Sequence, residues 1–141
     1  MNKKRSRAQY AALPYTIRDG VLKVMLITSR ETRRWIIPKG WPEKKLTPPE
    51  VAAREAFEEA GLRGRIGESP IGAFVYDKRL RNGKTTPCHV DIYLFEVEQE
   101  LEAWPEKGQR ERRWMSPSEA ALLVGESGLV TVLLNMAAPQ D

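Results

Sequence analysis

The stretch from Gly40 to Leu62 most limits what this chain can fold into. It reads as a tight loop running into one short helix. Thr47 is a favourable N-cap, Pro48 suits the first helical position, and Glu50 completes a T-x-x-E capping box. Leu46 and Val51 occupy the two positions of a hydrophobic staple, and Gly61 is a natural stop. On a wheel of about 100° per residue, Glu55, Glu58 and Glu59 share one arc roughly 100° wide. Ala52, Ala53, Ala56, Phe57 and Ala60 take the other side, and the alanines suit close packing on a sheet. Three like charges at i, i+3 and i+4 repel one another and destabilise an isolated helix. Arg54 can offset part of that repulsion. A hard divalent cation gripped through carboxylate oxygens can offset more. Taken alone, E-x-x-E-E on a helix is a solvated acidic face.

The flanking segments read as strands before the helix and as strands followed by helices after it. Ala11 to Arg18 and Val21 to Ser29 form two strands joined at Asp19-Gly20, a hairpin signal. The apolar second strand is central. Trp35-Ile36-Ile37 is a short third strand stopped by Pro38. Gly64 to Tyr76 holds one or two strands, Arg81-Asn82-Gly83-Lys84 is a second hairpin signal, and Pro87 to Glu98 is the strongest late strand. A charged loop from Glu100 to Gly108 precedes a short strand at Arg112 to Met115. Ser116-Pro117-Ser118-Glu119 is a second capping box opening a helix to Val124, and a last helix runs from Leu129 to Ala137. Strands, one central helix and terminal helices imply an α/β layered domain with a mixed sheet.

At 141 residues the chain is one domain with room for a core. The expected division is a basic, solvated tail over residues 1–9 and a single domain over 10–141. Lys3, Lys4, Arg5 and Arg7 account for the net charge of +4; without them the 23 basic residues drop to 19, equal to the 19 acids. The basicity is a tail property and a weak pointer to nucleic acid. The single cysteine, Cys88, permits no internal disulfide and fits a cytoplasmic protein. No paired base marks Cys88 as a nucleophile. No apolar run is long enough for a membrane span, and the N-terminus lacks the apolar core of a signal peptide.

The whole Gly40–Leu62 stretch resembles the Nudix box, G-x5-E-x7-R-E-U-x-E-E-x-G-U, with U a bulky apolar residue. Gly40, Arg54, Glu55, Glu58, Glu59, Gly61 and Leu62 match at the right spacing. Ala56 stands for a bulkier residue, and Leu46 stands where the first glutamate belongs. Glu43 and Glu50 are the nearby acids that could replace it. The resemblance implies an α/β/α sandwich and a site built on the box helix. It implies Mg²⁺ as cofactor, or Mn²⁺, held by Glu55, Glu58, Glu59 and the Gly40 carbonyl. Glu58 is then a ligand or the group that takes a proton from water, Glu59 is catalytic with it, and Arg54 positions a glutamate. Asp91, Glu102 and Glu106 are the acids outside the box that could serve as base.

The run from Thr28 to Gly40 resembles the S-S-R-x-x-x-x-W-x-x-P-x-G pattern of the diphosphoinositol polyphosphate phosphohydrolase branch of that family. Similar matches continue at Gly72-Ala73-Phe74, His89 to Phe95, Leu101 to Glu106, and Arg110 to Trp114. The implied substrate is a phosphorylated small molecule carrying a diphosphate linkage, either a dinucleoside polyphosphate or a diphosphoinositol polyphosphate. Arg30, Lys39, Arg79, Arg81, Lys84 and Arg110 are the phosphate-binding candidates, since arginine gives bidentate contacts and lysine a point charge. Singly each is a surface charge; as a set beside the box they favour phosphate. Trp35 and Trp114 are expected in the core, Trp41 as a stacking face, and His89 in the core or at a pocket edge. The competing readings are an RNA 5′-end pyrophosphohydrolase and a phosphate-ligand-binding module without turnover. Neither nucleic acid nor membrane is an expected partner.

Overall fold

The computed structural model describes residues 7–138. Eight strands form one sheet: β1 (Arg7–Arg18), β2 (Val21–Thr28), β3 (Trp35–Ile36), β4 (Lys39–Gly40), β5 (Leu62–Ile66), β6 (Gly72–Arg79), β7 (Thr85–Glu100) and β8 (Arg112–Met115). Three helices complete the domain: α1 (Pro48–Ala60), α2 (Pro117–Leu123) and α3 (Ser127–Ala137). β1 and β7 are the spine and run parallel, from Arg7 opposite Cys88 to Tyr15 opposite Glu96. The other pairings are antiparallel. β6 and β5 share the far edge of β7, and β2 carries β1, β8 and β3 along its length. The sheet is mixed, as expected.

Alternation along the strands places the core on both faces. On one face Ala11, Leu13, Val24, Leu26, Phe74, Val90 and Ile92 meet Ala120, Leu129 and Leu133 of α2 and α3. On the other, Ala12, Met25, Ile27, Tyr93 and Phe95 meet Ala52, Ala56 and Ala60 of α1. The result is the α/β/α sandwich. All three of those alanines are fully buried, so α1 lies close on the sheet and position 56 has no room for the bulkier residue of the box. The capping box of α1 forms in both directions between Thr47 and Glu50, and Gly61 closes the helix at φ 68°. Asp19 and Gly20 both take positive φ, which the hairpin turn between β1 and β2 requires.

Several boundaries differ from expectation. β1 begins at Arg7, because parallel pairing with β7 extends it; residues 7–9 therefore belong to the sheet, and the rest of the expected tail lies outside the described residues. The short strand around Trp35 ends at Ile36. A further two-residue strand, β4, was not expected; it pairs Lys39 and Gly40 with Ala11 and Tyr10. The segment after α1 resolves into β5 and β6, and α3 starts at Ser127, with Glu126 as its N-cap. Trp35 and Trp114 are half-buried at the edges of the two cores. Among the described residues no helix is long and apolar enough to cross a membrane.

Candidate active site

β4 and the N-terminal loop of α1 put Gly40 against the acidic face of the helix. A Cβ at residue 40 would fall into the Glu55 carboxylate, so glycine is what allows Glu55 to lie on this backbone. One turn further, Glu59 Oε1 accepts the Lys39 backbone N–H at 3.2 Å, and Glu59 Oε2 lies 3.5 Å from Arg110 Nη2. Burial pushes the Glu55 carboxyl up to about 8, with the charges of Glu59, Glu58 and Glu106 adding to the shift. Burial likewise raises Glu59 to about 7, against the opposing pull of Arg110 and Lys39. Desolvation wins over a nearby guanidinium here because that guanidinium is shared.

Arg110 is 8% exposed. Its Nε donates to Glu106 Oε1 at 3.0 Å and its Nη1 to the Thr28 carbonyl at 3.2 Å. The Glu106 backbone N–H donates to the Glu58 carbonyl, which fixes this loop to α1. Arg110 lines the cavity beside Glu59, where the resemblance places a phosphate contact, and its present partners make it a positioning residue for Glu59 and Glu106 as well. Of the three acids proposed as base outside the box, only Glu106 bears on the pair. Asp91 is paired with His89 at 3.2 Å, and Glu102 is exposed. His89 itself is exposed on β7, not in the core.

Arg54 answers the question posed by Leu46. Its Nη1 bonds Glu43 Oε2 at 2.5 Å and its Nε bonds Glu58 Oε1 at 2.9 Å. Glu43 thus supplies the acid that the box lacks at position 46, while Glu50 is used by the capping box. Glu58 is turned to Arg54 and does not line the adjoining cavity. Among the described residues no three acidic, histidine or cysteine side chains converge as metal ligands. In this arrangement Glu55 and Glu59 lie beside Gly40, while Glu58 is paired with Arg54.

These groups open on a cavity of about 700 Å³. Arg30, Lys39, Arg79, Trp41 and Arg110 line it, as do Gln9, Tyr76 and Glu126. Burial lowers the Lys39 ammonium pKa, opposed by the charges of Glu59 and Glu126. Arg81 and Lys84 are exposed at the β6–β7 hairpin and do not line the cavity. Trp41 is 36% exposed, with Arg7 and Lys78 over its ring at 5.8 and 5.9 Å from the centre. Gln9, Tyr76 and Glu126 had no signal in the sequence. The first lay within the presumed tail, and the last sits between two helices with no motif around it.

Two expected outcomes follow from this geometry. Gly40→Ala folds, because the overlapping Glu55 atoms are the end of a flexible side chain, but it displaces that carboxylate; turnover falls about tenfold or more at nearly unchanged melting temperature. Both raised carboxyls favour the protonated form in the folded state, above their ordinary 4.5. Their contribution to stability is full below about pH 4.5 and is lost as pH rises through about 7 and 8. With chelator present, the urea midpoint should fall from pH 6 to pH 9 in the native chain and less in a Glu55→Gln, Glu59→Gln double variant. Equal slopes would contradict the assignment.

A mixed sheet sandwiched by helices, with two part-buried carboxylates beside a cavity lined by both acids and bases, defines the class of α/β protein at hand. The family model described as "NUDIX domain" matches residues 8–134, and the chain belongs to that family. Nudix hydrolase 13, mitochondrial, of Arabidopsis thaliana is 36% identical over 107 residues, covering 72% of this chain and 53% of its own. Diphosphoinositol polyphosphate phosphohydrolase 3-beta of Bos taurus is 32% identical over 101 residues, covering 70% and 57%. The chain spans about half the length of the curated relatives it matches. The crystal structure of the C. elegans Ap4A hydrolase shares the fold, with a TM-score of 0.66 at 15% identity, over 94% of this chain and 97% of that one.

Proposed function

We propose that this chain is a Mg²⁺-dependent pyrophosphohydrolase, cleaving a diphosphate linkage in a heavily phosphorylated small molecule. The observation that carries it is the pair Glu55 and Glu59. Burial holds both above their ordinary pKa, and Glu59, Glu58 and Glu106 add to the shift of Glu55, in a cavity whose other walls bear Lys39, Arg30 and Arg79. Acids whose ionisation is opposed by burial, next to cations, fit a site completed by a divalent cation and an anionic ligand. Mg²⁺ accepts few protein ligands and keeps several waters, so two carboxylates and the Gly40 carbonyl are an adequate set. When bound, the cation supplies charge neutralisation and a more acidic water.

The chain's own residues do the rest. Arg30, Lys39 and Arg79 hold phosphate oxygens and offset their charge. Arg110 and the Lys39 backbone N–H fix Glu59, and Gly40 leaves room for Glu55. The proton of the water that attacks phosphorus goes to Glu58 or Glu106, the acids nearest the pair. Arg54, pinned between Glu43 and Glu58, stiffens the box helix. A dinucleoside polyphosphate and a diphosphoinositol polyphosphate both suit Arg30, Lys39 and Arg79, and the similarity to an Ap4A hydrolase and to a diphosphoinositol polyphosphate phosphohydrolase supports that class. A single buried Cys88 is consistent with a cytoplasmic setting. Phosphate release from diadenosine tetraphosphate and diphosphoinositol pentakisphosphate, with Mg²⁺ and with chelator, tests the reading. Metal-dependent release from either supports it; no metal-dependent release from any diphosphate ester would leave a ligand-binding module.

A further inference from the structure

Glu126 has no part in the chemistry above, and its placement is unusual. It is the N-cap of α3, yet its side chain makes no capping hydrogen bond. It lines the cavity instead. Its Oε2 is buried with no hydrogen-bond partner among the described residues. A buried carboxylate oxygen without a donor is costly, and the terminal torsion of a carboxylate is soft enough to turn that oxygen toward a ligand. Its neighbours are Tyr76, whose Oη donates to Gln9 Oε1 at 2.6 Å, and the Lys39 ammonium, whose charge it shares with Glu59. An acceptor with negative charge in this wall suits a neutral O–H or N–H donor and opposes a phosphate. The cavity is therefore polarised, with phosphate-binding cations at Arg30 and Arg79 and an acceptor at Glu126.

We propose that Glu126 is a specificity-determining residue, which accepts a hydrogen bond from the nucleoside part of a nucleoside polyphosphate and disfavours ligands with a phosphate at that point. A nucleoside offers ribose hydroxyls and an exocyclic amine as donors to that carboxylate. A diphosphoinositol polyphosphate carries phosphates around its whole ring and meets Glu126 with like charge. The proposal deepens the pyrophosphohydrolase reading and selects the nucleotide within it.

Calorimetric binding of two ligands that cannot be hydrolysed, α,β-methylene adenosine diphosphate and methylenediphosphonate, isolates the nucleoside contact from turnover. With Mg²⁺ fixed, Glu126→Gln should weaken the nucleotide about tenfold and leave the diphosphonate within about twofold, as loss of one charge-assisted hydrogen bond requires. Glu126→Ser, which keeps a favourable N-cap residue, should do the same and guards against a folding defect. The 2′-deoxyribose and inosine forms of the nucleotide identify the donor: whichever binds the native chain no better than the Gln variant lacks it. In turnover, Glu126→Gln should raise KM for diadenosine tetraphosphate and lower it for diphosphoinositol pentakisphosphate, with kcat little changed. Equal shifts for both binding ligands, no shift for either, or a native chain that binds the nucleotide no tighter than the diphosphonate would each overturn the assignment. Because these binding readouts need no hydrolysis, a chain that binds as expected but cleaves nothing would refute the hydrolase reading alone.

Discussion

Glu55→Gln and Glu59→Gln are each expected to lower kcat by about a hundredfold or more, as removal of a group that stabilises developing charge does. Melting temperature in chelator should stay level or rise. The two effects have the same origin. In the folded chain both carboxyls sit well above the ordinary range, at about 8 and about 7, because burial opposes their ionisation and, at Glu55, so do the neighbouring carboxylates Glu59, Glu58 and Glu106. A neutral amide of the same shape removes that penalty. It also removes the charge that a cation and a phosphorylated ligand need. Glu58→Gln should be milder, since Glu58 faces Arg54 and not the cavity. Steady-state kinetics and thermal melts on the three variants check this. Unchanged turnover in both Glu55→Gln and Glu59→Gln would remove the site from α1.

Arg110→Ala carries the largest expected loss of stability. Its guanidinium, 8% exposed, meets Glu59, Glu106 and the Thr28 carbonyl. Truncation strands two part-buried carboxylates and a carbonyl at once. Breaking a buried pair on one side costs about 3–5 kcal/mol, and chemical denaturation at pH 8 should read a loss in that range. At low pH, where the carboxyls take up protons, the loss should shrink. Arg110→Lys should recover little, because one ammonium cannot reproduce three directed contacts. A loss below about 1 kcal/mol would place Arg110 among ordinary exposed pairs and against the geometry described.

The box helix was legible because its signals are local. A capping box, a proline at the start and a glycine at the stop each act within a few residues, and the alanine face reports the sheet that α1 must approach. The order of elements implied an α/β layered domain with a mixed sheet, and the resemblance implied the α/β/α sandwich. What the sequence left open depended on distant partners. β4 is two residues long and exists because β1 passes beside it, and β1 starts at Arg7 because β7 lies parallel to it. Arg79 and Arg81 look alike in the sequence, yet one lines the cavity and the other tips the hairpin. Arg110 was legible as a cation but not as one already shared by three acceptors. The choice between Glu43 and Glu50 as partner of Arg54 turned on the loop's course, and Glu126 was hidden because only the packing of α3 against β6 brings it to Lys39 and Tyr76.

The most direct test is Mg²⁺ calorimetry near pH 7, in buffers of different ionisation heat. Two carboxyls that are partly protonated there must give up protons to a cation, so binding should release close to one proton and tighten as pH rises. Both signals should vanish in the Glu55→Gln, Glu59→Gln double variant. Mg²⁺ binding that releases no proton, or that survives unchanged in the double variant, would contradict a cation site at these two glutamates.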